Sequence, residues 1–276
     1  MAITVTPLSE AIGARIEGVD LSRDLDSGTF GAIESALYEH AIIVVPGQTL
    51  DEDDQERFCR YFGELERVRS GQALGRDHPA VLMITNATDT GRPTALEDGE
   101  MMFHYDQCYY ENPALGSTLY AMEIPDEGGN TLFANCRLAY EALDDGWKAR
   151  LDGLRALHCY DYKRDPTLRP STINPDAPQW VHPVVRTHPE TGRKAIYVNR
   201  LMTLWIEGIE RDESDAILDF LFDHIEQPQF VYEHVWTVGE LIMWDNRCSA
   251  HARTWFSPDK RRMMRRVTVR DPHPVL

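Results

Sequence analysis

The pattern of apolar and polar residues predicts strands and helices in alternation over the first hundred positions. Residues 12–19 have the character of a strand, and a helix is expected from Ser27, its predicted N-cap. The short apolar run 41–46 indicates a buried strand, and Asp51 is the predicted N-cap of a second helix. The apolar faces of the two helices are formed by Phe30, Ile33, Leu37 and Ala41 and by Phe58, Tyr61 and Phe62.

Beyond residue 100 the pattern favours strands. One helix is expected at about 212–226, where apolar residues form a wide stripe. Strands 239–244 and 247–253 are separated by Asp245-Asn246, which predicts a two-residue hairpin turn. The other predicted strands are 103–109, 116–122, 131–135, 154–160, 182–187, 194–198, 229–236 and 263–270.

These elements predict the fold class. Many short strands between turn signals are typical of a sandwich or barrel, and we expect a mainly β fold with flanking helices, a jelly-roll barrel (double-stranded β-helix). Since no repeat and no Gly/Ser-rich linker divides the chain, residues 1–276 are expected to form a single domain. Two long stretches, at about 86–102 and 161–180, are lid candidates, with surface insertions as the alternative.

Charge and cysteine content narrow the class of function. The 276 residues include 28 basic and 45 acidic side chains, a net charge of −17. Phosphate backbones and anionic membranes bind clustered Lys and Arg, so we expect a small-molecule substrate rather than a nucleic acid or membrane partner, and leave assembly into a homo-oligomer open. Five widely spaced cysteines argue against a disulfide framework, and the lack of a signal-peptide pattern predicts a soluble cytoplasmic protein.

Histidine and carboxylate spacing indicates a metal site. Three His-x-acid tripeptides occur, against about one or two expected by chance. The tripeptide at His224 ends a predicted helix, where residues i and i+2 point apart, and the one at His188 lies in a predicted turn. His104 and Asp106 lie in a predicted strand, whose period of two places both side chains on one face. We expect only this pair to share a metal ion.

A third ligand and an anion site are found further along the chain. His251 is the available partner for a triad of two histidines and one carboxylate. From Arg253 to Arg270 there are seven basic residues and one acidic residue, in a chain that is otherwise acidic. Arg262 and Arg266 are four positions apart on a predicted strand and therefore share a face. Arginines that point into a barrel are stable when they meet an anion, such as a carboxylate.

Taken together, the chain resembles the iron(II)- and 2-oxoglutarate-dependent dioxygenases of the taurine dioxygenase/dichlorophenoxyacetate dioxygenase (TauD/TfdA) family along nearly its whole length. Thr131 follows His104 by 27 residues, and Arg262 and Arg266 follow His251 by 11 and 15, as in the family pattern. The motifs that carry the resemblance are Gly13-Ala-Arg-Ile-Glu-Gly-Val-Asp-Leu21, Pro46-Gly-Gln, Phe62-Gly-Glu-Leu65, His104-x-Asp106, Gly128-Gly-Asn-Thr131 and Trp244-Asp-Asn-Arg247 with His251, Arg262 and Arg266.

The resemblance implies an activity and a metal centre. The fold would be of the clavaminate synthase-like type, and His104, Asp106 and His251 would be the catalytic residues that bind Fe(II). Oxygen and 2-oxoglutarate would be consumed, with release of succinate and CO2, while the substrate is hydroxylated or oxidatively cleaved. The implied substrate is a small organic acid, an amino acid or a similar anion. Halogenation is disfavoured because related halogenases lack the carboxylate found here as Asp106.

The resemblance also implies binding residues for the cosubstrate and the substrate. Thr131 and Arg262 or Arg266 would bind the distal carboxylate of 2-oxoglutarate. Taurine is disfavoured as the substrate, because the histidine expected soon after Phe62-Gly-Glu-Leu65 is missing. The residues expected to contact the substrate are Glu100, Gln107, Met202 and Arg266.

Two other functional classes stay open at this point. A catalytically idle jelly-roll protein would bind a metal or ligand without turnover, but it would need neither Thr131 nor the arginine pair. A zinc hydrolase would use the same two histidines and aspartate, but it would leave the arginine pair without a purpose. Oxygen-dependent formation of succinate separates a dioxygenase from an idle protein, and insensitivity to 2-oxoglutarate would favour a hydrolase.

Overall fold

The computed structural model describes residues 3–68, 77–87, 101–161, 169–170 and 172–275. The strands in these residues are β1 (Thr4–Pro7), β2 (Ala14–Glu17), β3 (Ile42–Val45), β4 (Val81–Thr85), β5 (Ala114–Glu123), β6 (Thr131–Asn135), β7 (Arg155–Cys159), β8 (Gln179–Pro183), β9 (Val185–Thr187), β10 (Lys194–Ile196), β11 (Thr203–Ile206), β12 (Val231–His234), β13 (Leu241–Asp245), β14 (Ser249–Arg253) and β15 (Met263–Arg270). The α-helices are α1 (Ser27–His40), α2 (Glu52–Arg60), α3 (Cys136–Glu141), α4 (Asp145–Leu151) and α5 (Arg211–Ile225).

The described strands form four sheets. The largest has seven strands in the order β1-β2-β3-β13-β5-β15-β4, and a three-stranded sheet has the order β12-β6-β14. A second three-stranded sheet, β11-β7-β8, and the pair β10-β9 complete the set. The pairings are antiparallel apart from β2 with β3. The chain is therefore mainly β with few helices, as the sequence predicts.

The seven-stranded sheet is buried on both faces around β3. Ile43 and Val45 pack in one apolar cluster with Leu37 of α1 and Phe58 of α2. The alternate residue Ile42 belongs to the main core on the opposite face of the sheet. A strand covered on both faces has no polar positions, which explains the continuous apolar run seen in the sequence.

Capping residues define where the first two helices begin. The N-cap of α1 is Asp26, whose side chain accepts a 2.9 Å hydrogen bond from the Thr29 N–H, so the prediction of Ser27 is wrong by one residue. The N-cap of α2 is Asp51, as predicted, and it forms a reciprocal capping box with Asp54.

Two predicted elements at the centre of the fold are wrong. Residues 103–109 do not form a strand: 106–109 form turns, and His104 makes only a single bridge with His251. The strands on either side of Asp245-Asn246 do not form a hairpin, because β13 pairs with β3 and β5 whereas β14 pairs with β6. This turn instead carries the chain from the large sheet to the sheet β12-β6-β14. The alternation of residues is therefore insufficient evidence for a strand at 103–109, and it does not reveal which strands pair with β13 and β14.

The first lid candidate lies largely outside the described residues, which omit 88–100, and the second lies partly outside them, since 162–168 and 171 are also omitted. In the second candidate, the described Arg169 forms a 2.9 Å ion pair with Asp215 of α5. The five cysteines are free and buried. Within the described residues, no helix combines the length and the apolar character needed to cross a membrane.

Candidate metal centre

A buried cluster of two histidines and one carboxylate lies where the segment before β5 meets β14. The backbones of His104 and His251 are hydrogen-bonded to each other in both directions, at 2.9 and 3.0 Å, and the ring centroids are 4.2 Å apart. One ligand atom from each of His104, Asp106 and His251 lies within 4.8 Å of the other two. The structure therefore brings together the three residues that the sequence singles out.

The protonation states of the two imidazoles suit metal binding. Burial lowers the pKa of His104, and it lowers the pKa of His251 well below the usual value, so both rings are neutral near pH 7. His104 Nδ1 lies 2.8 Å from the carbonyl oxygen of Met102. Because a carbonyl only accepts hydrogen bonds, Nδ1 carries the ring proton and Nε2 keeps its lone pair.

Asp106 is ionised and held by two strands of the large sheet. Its Oδ2 accepts a 2.7 Å hydrogen bond from Ser117 of β5, and its Oδ1 forms a 2.7 Å ion pair with Arg266 of β15. Burial opposes ionisation, but the neighbouring groups, Arg266 first among them, outweigh it and lower the pKa of Asp106 to about 2. Asp106 therefore contributes a negative charge to the cluster at neutral pH.

A cavity adjoins this cluster between the two sheets that contribute to it. The residues that line it, as far as the structure describes them, are Ile84, His104, Leu119, Thr131, Trp244, His251, Ala252, Arg253, Arg262 and Arg266. Three of these are arginines and none is acidic, in a chain whose net charge is −17. This local excess of positive charge suits an anionic ligand.

The residues predicted to bind the cosubstrate all line this cavity and are held in place by neighbours. The Arg262 Nε–H donates to the carbonyl oxygen of Gly129 at 3.0 Å. The Thr131 hydroxyl accepts a 3.0 Å hydrogen bond from the indole N–H of Trp236, which leaves the hydroxyl proton to be donated elsewhere. Arg266 Nε lies 3.3 Å from the Thr268 hydroxyl.

The residues predicted to contact the substrate do not all line this cavity. Arg266 lines the cavity, whereas Gln107 and Met202 are not part of the lining. Gln107 directly follows Asp106 and has a left-handed backbone, with φ of 58°. Met202 is buried in the main core with its sulfur 3.6 Å from Cys108 Sγ. Glu100 lies outside the described residues.

Three side chains that support the site were not found by sequence reasoning. Ser117 bonds the Asp106 carboxylate, Trp236 bonds Thr131, and Asn246 bonds the backbone of Asp106. Asn246 belongs to the quoted motif Trp244-Asp-Asn-Arg247, but only a turn was predicted there. No local pattern marks Ser117 or Trp236, because each meets its partner only in the folded chain.

Comparison with known proteins identifies relatives along the whole chain. The chain is 33% identical to the (S)-phenoxypropionate/alpha-ketoglutarate-dioxygenase of Sphingobium herbicidovorans, over 98% of this chain and 96% of the relative. It is 33% identical to the alpha-ketoglutarate-dependent 2,4-dichlorophenoxyacetate dioxygenase of Cupriavidus pinatubonensis, over 98% and 99% of the two chains. An alpha-ketoglutarate-dependent sulfate ester dioxygenase of Pseudomonas putida is 30% identical, over 100% and 92%.

Solved structures show the same similarity. A taurine dioxygenase from Burkholderia xenovorans superimposes with a TM-score of 0.85 at 32% identity, covering 99% of this chain and 90% of the other. The structure of AAD-2 in complex with Mn(II) and N-oxalylglycine superimposes with a TM-score of 0.87 at 30% identity, covering 100% and 99%. The family described as "Taurine catabolism dioxygenase TauD, TfdA family" matches residues 4–268. This chain therefore belongs to the TauD/TfdA family of dioxygenases.

Proposed function

We propose that this protein is an iron(II)- and 2-oxoglutarate-dependent dioxygenase that hydroxylates or oxidatively cleaves a small organic anion and releases succinate and CO2. One observation carries the proposal. The neutral His104 and His251 and the ionised Asp106 lie together beside a cavity whose lining includes three arginines. Membership of the TauD/TfdA family supports the same reaction class.

His104, Asp106 and His251 are the proposed iron ligands. Two imidazoles and one carboxylate are the donor set of non-haem Fe(II) oxygenases, and they leave positions for a cosubstrate. The Met102 carbonyl and the Ser117 hydroxyl each orient one of these ligands, as the partners of metal ligands commonly do. When bound, Fe(II) with 2-oxoglutarate and O2 supplies the oxidising power for attack on the substrate.

Thr131 and the two arginines are the proposed binding residues for 2-oxoglutarate. A guanidinium group matches a carboxylate with two parallel hydrogen bonds, and Arg262 is 2% exposed, so water competes weakly for that pairing. The Gly129 carbonyl holds Arg262, and Trp236 holds Thr131. These contacts restrict the motion of both side chains, so their binding to an anion costs less conformational entropy.

Arg266 is also proposed to contact an acidic group of the substrate. Its guanidinium lies 2.7 Å from Asp106 Oδ1, so an anion that pairs with it would be held next to the proposed iron site. Three relatives are named for phenoxypropionate, dichlorophenoxyacetate and a sulfate ester, all of which are acidic compounds. Glu100, Gln107 and Met202 remain proposed substrate contacts, and the adjacency of Gln107 to Asp106 supports its inclusion.

We further propose that the seven-stranded sheet and the sheet β12-β6-β14 are the two walls of a jelly-roll barrel of the clavaminate synthase-like type. The crossing of the chain from β13 to β14 and the cavity between the two sheets support this architecture. The family match over residues 4–268 supports a single domain over 1–276. Cytoplasmic location and lid roles for 86–102 and 161–180 remain predictions.

The function can be tested before the substrate is known. Purified protein is reconstituted anaerobically with Fe(II), 2-oxoglutarate is added, and the visible charge-transfer band of the chelate is followed. We expect a saturable band that is lost in His104→Ala, Asp106→Ala and His251→Ala. His224→Ala is the matched control, because this histidine lies on α5 and bonds the Ala139 carbonyl at 2.8 Å, away from the cluster. It should retain the band.

Two outcomes would contradict the proposal. Bound iron without a 2-oxoglutarate band would favour an idle barrel, or a zinc hydrolase if hydrolysis is then found that is insensitive to 2-oxoglutarate. Retention of the band in the three ligand variants would remove those residues from the metal site. A positive result leads to a screen of organic anions, in which oxygen-dependent succinate formation identifies the substrate.

A further inference from the structure

The side chain of Asn246 forms a clamp on the backbone of Asp106. Asn246 is fully buried and directly follows β13. Its Oδ1 accepts a 2.8 Å hydrogen bond from the Asp106 N–H, and its Nδ2 donates at 2.9 Å to the carbonyl oxygen of the same residue. The second Nδ2 proton is donated at 3.1 Å to the carbonyl oxygen of Ala114, the first residue of β5.

The orientation of this amide follows from its partners. A backbone N–H requires an acceptor and the two carbonyl oxygens require donors, so only one of the two amide orientations satisfies all three groups. The backbone N–H of Asn246 donates to the carbonyl oxygen of Leu115 at 2.9 Å. Asn246 thus ties both the turn after β13 and the segment of Asp106 to the start of β5.

Asp106 depends on this clamp because its own segment lacks regular structure. Residues 106–109 form turns, with Gln107 in a left-handed conformation, and Asp106 is not part of a strand in the described structure. The Asn246 amide satisfies both backbone groups of Asp106, as a neighbouring strand would otherwise do. A fully satisfied buried polar group confines the backbone to one arrangement.

We infer that Asn246 is a positioning residue for the metal centre, which fixes the backbone from which Asp106 presents its carboxylate. This inference rests on the proposed function, because it assumes that Asp106 is a metal ligand. It differs from the role of Ser117, which bonds the Asp106 carboxylate itself. Substitution of residues that orient metal ligands typically weakens metal affinity by about 10- to 100-fold, and we expect a loss in this range for Asn246→Ala.

The test is a titration of the metal-free protein with Co(II), followed by visible absorption, beside thermal unfolding of each metal-free variant. Asn246→Ala should raise the Kd for Co(II) by about 10- to 100-fold and alter the absorption spectrum. Asn246→Ser, which keeps a polar group but is too short to replace the amide, serves if the alanine variant does not fold. The matched control is Asn135→Ala, since Asn135 also bonds two backbone groups, the Leu138 N–H and the Ala11 carbonyl.

The control should lower the unfolding temperature without changing the Kd or the spectrum. An unchanged Kd and spectrum in the folded Asn246 variants, or failure of both variants to fold, would overturn the inference and leave Asn246 a structural role alone. Failure of the proposed function has a different signature. In that case the wild-type protein would bind no Co(II), or Asp106→Ala would bind it as tightly as the wild type.

Discussion

The buried pair of Arg247 and Asp245 allows a quantitative test of how the turn beside the metal centre is stabilised. Both side chains are fully buried. Arg247 Nε and Nη2 donate to the two carboxylate oxygens of Asp245 at 2.9 and 2.8 Å, and Nη1 donates to Glu190 at 2.7 Å. Asp245 also accepts hydrogen bonds from His188 Nε2 and from the backbone N–H of Arg247, each at 2.9 Å.

Arg247→Met removes the guanidinium and keeps most of the side-chain volume. Asp245 then loses two of the four hydrogen bonds to its carboxylate and the positive charge beside it. Loss of one partner from a buried ion pair costs about 3–5 kcal/mol, and we expect the lower end, about 3 kcal/mol, because His188 and the backbone N–H still bond Asp245.

The effect should depend on pH in a defined direction. Burial raises the pKa of Asp245, but Arg247 and the hydrogen bonds outweigh burial and lower the pKa well below its usual value. A lowered pKa in the folded state stabilises the wild type above about pH 4, and that contribution is lost as the pH falls further. Without Arg247, the effect of burial is offset less completely and the pKa of Asp245 rises, so the variant loses less stability on acidification than the wild type. The stability difference between the two proteins should therefore narrow from pH 7 to pH 4.

Urea unfolding followed by circular dichroism measures the free energy of unfolding at both pH values. The control is Arg150→Met, which breaks the exposed ion pair with Glu213 and should cost less than about 1 kcal/mol. An Arg247→Met variant no less stable than this control would refute the reasoning. A stability difference that widens on acidification would show that Asp245 is not the group responsible.

Three further predictions concern the cosubstrate site. The anaerobic 2-oxoglutarate titration measures the Kd for each variant, and urea unfolding measures any change in stability. Arg262→Ala should raise the Kd for 2-oxoglutarate by about 30-fold or more, because loss of one partner from a buried charge pair costs at least about 2 kcal/mol. Unchanged Kd values in both this variant and Arg266→Ala would show that the arginines do not bind the cosubstrate. Gly129→Ala should lower the free energy of unfolding by about 1–2 kcal/mol, because Gly129 has a left-handed φ of 67°. It should also weaken 2-oxoglutarate binding, because the added Cβ would lie 3.1 Å from Arg262 Cδ. A fully stable variant with normal binding would contradict this prediction. Trp236→Phe should raise the Kd for 2-oxoglutarate by about 2- to 10-fold, because the Thr131 hydroxyl loses a hydrogen bond worth about 0.5–1.5 kcal/mol. An unchanged Kd would show that Trp236 does not orient Thr131 for 2-oxoglutarate binding.

The elements that the sequence predicted well are those with a local signal. Three examples are the apolar run of β3, the apolar stripe of α5 and the capping residue of α2. Each of these signals is contained in a short segment of the chain, so the local pattern is enough to predict the element. The start of α1 was missed by one residue because Asp26 and Ser27 are both good N-caps, and only backbone geometry distinguishes them.

The segment 103–109 shows where local pattern fails. Its alternation predicted a strand, and the strand was to place His104 and Asp106 on one face. The structure has turns there instead, yet His104, Asp106 and His251 still lie together. Hydrogen bonds from β14 and from Asn246 replace the strand, and neither can be seen in the residues around His104.

By itself, the sequence determined which chemical groups are available and in what order: the His104 and Asp106 pair, the distant His251, and the arginines at 262 and 266. It also determined that an acidic chain concentrates positive charge in one segment near its end. Only the tertiary structure decided how these groups are held, through Ser117, Trp236 and Asn246. The physical reason is that hydrogen-bond partners far apart along the chain meet only after the sheets pair, and residue periodicity shows which face of a strand is buried but not which strand pairs with it.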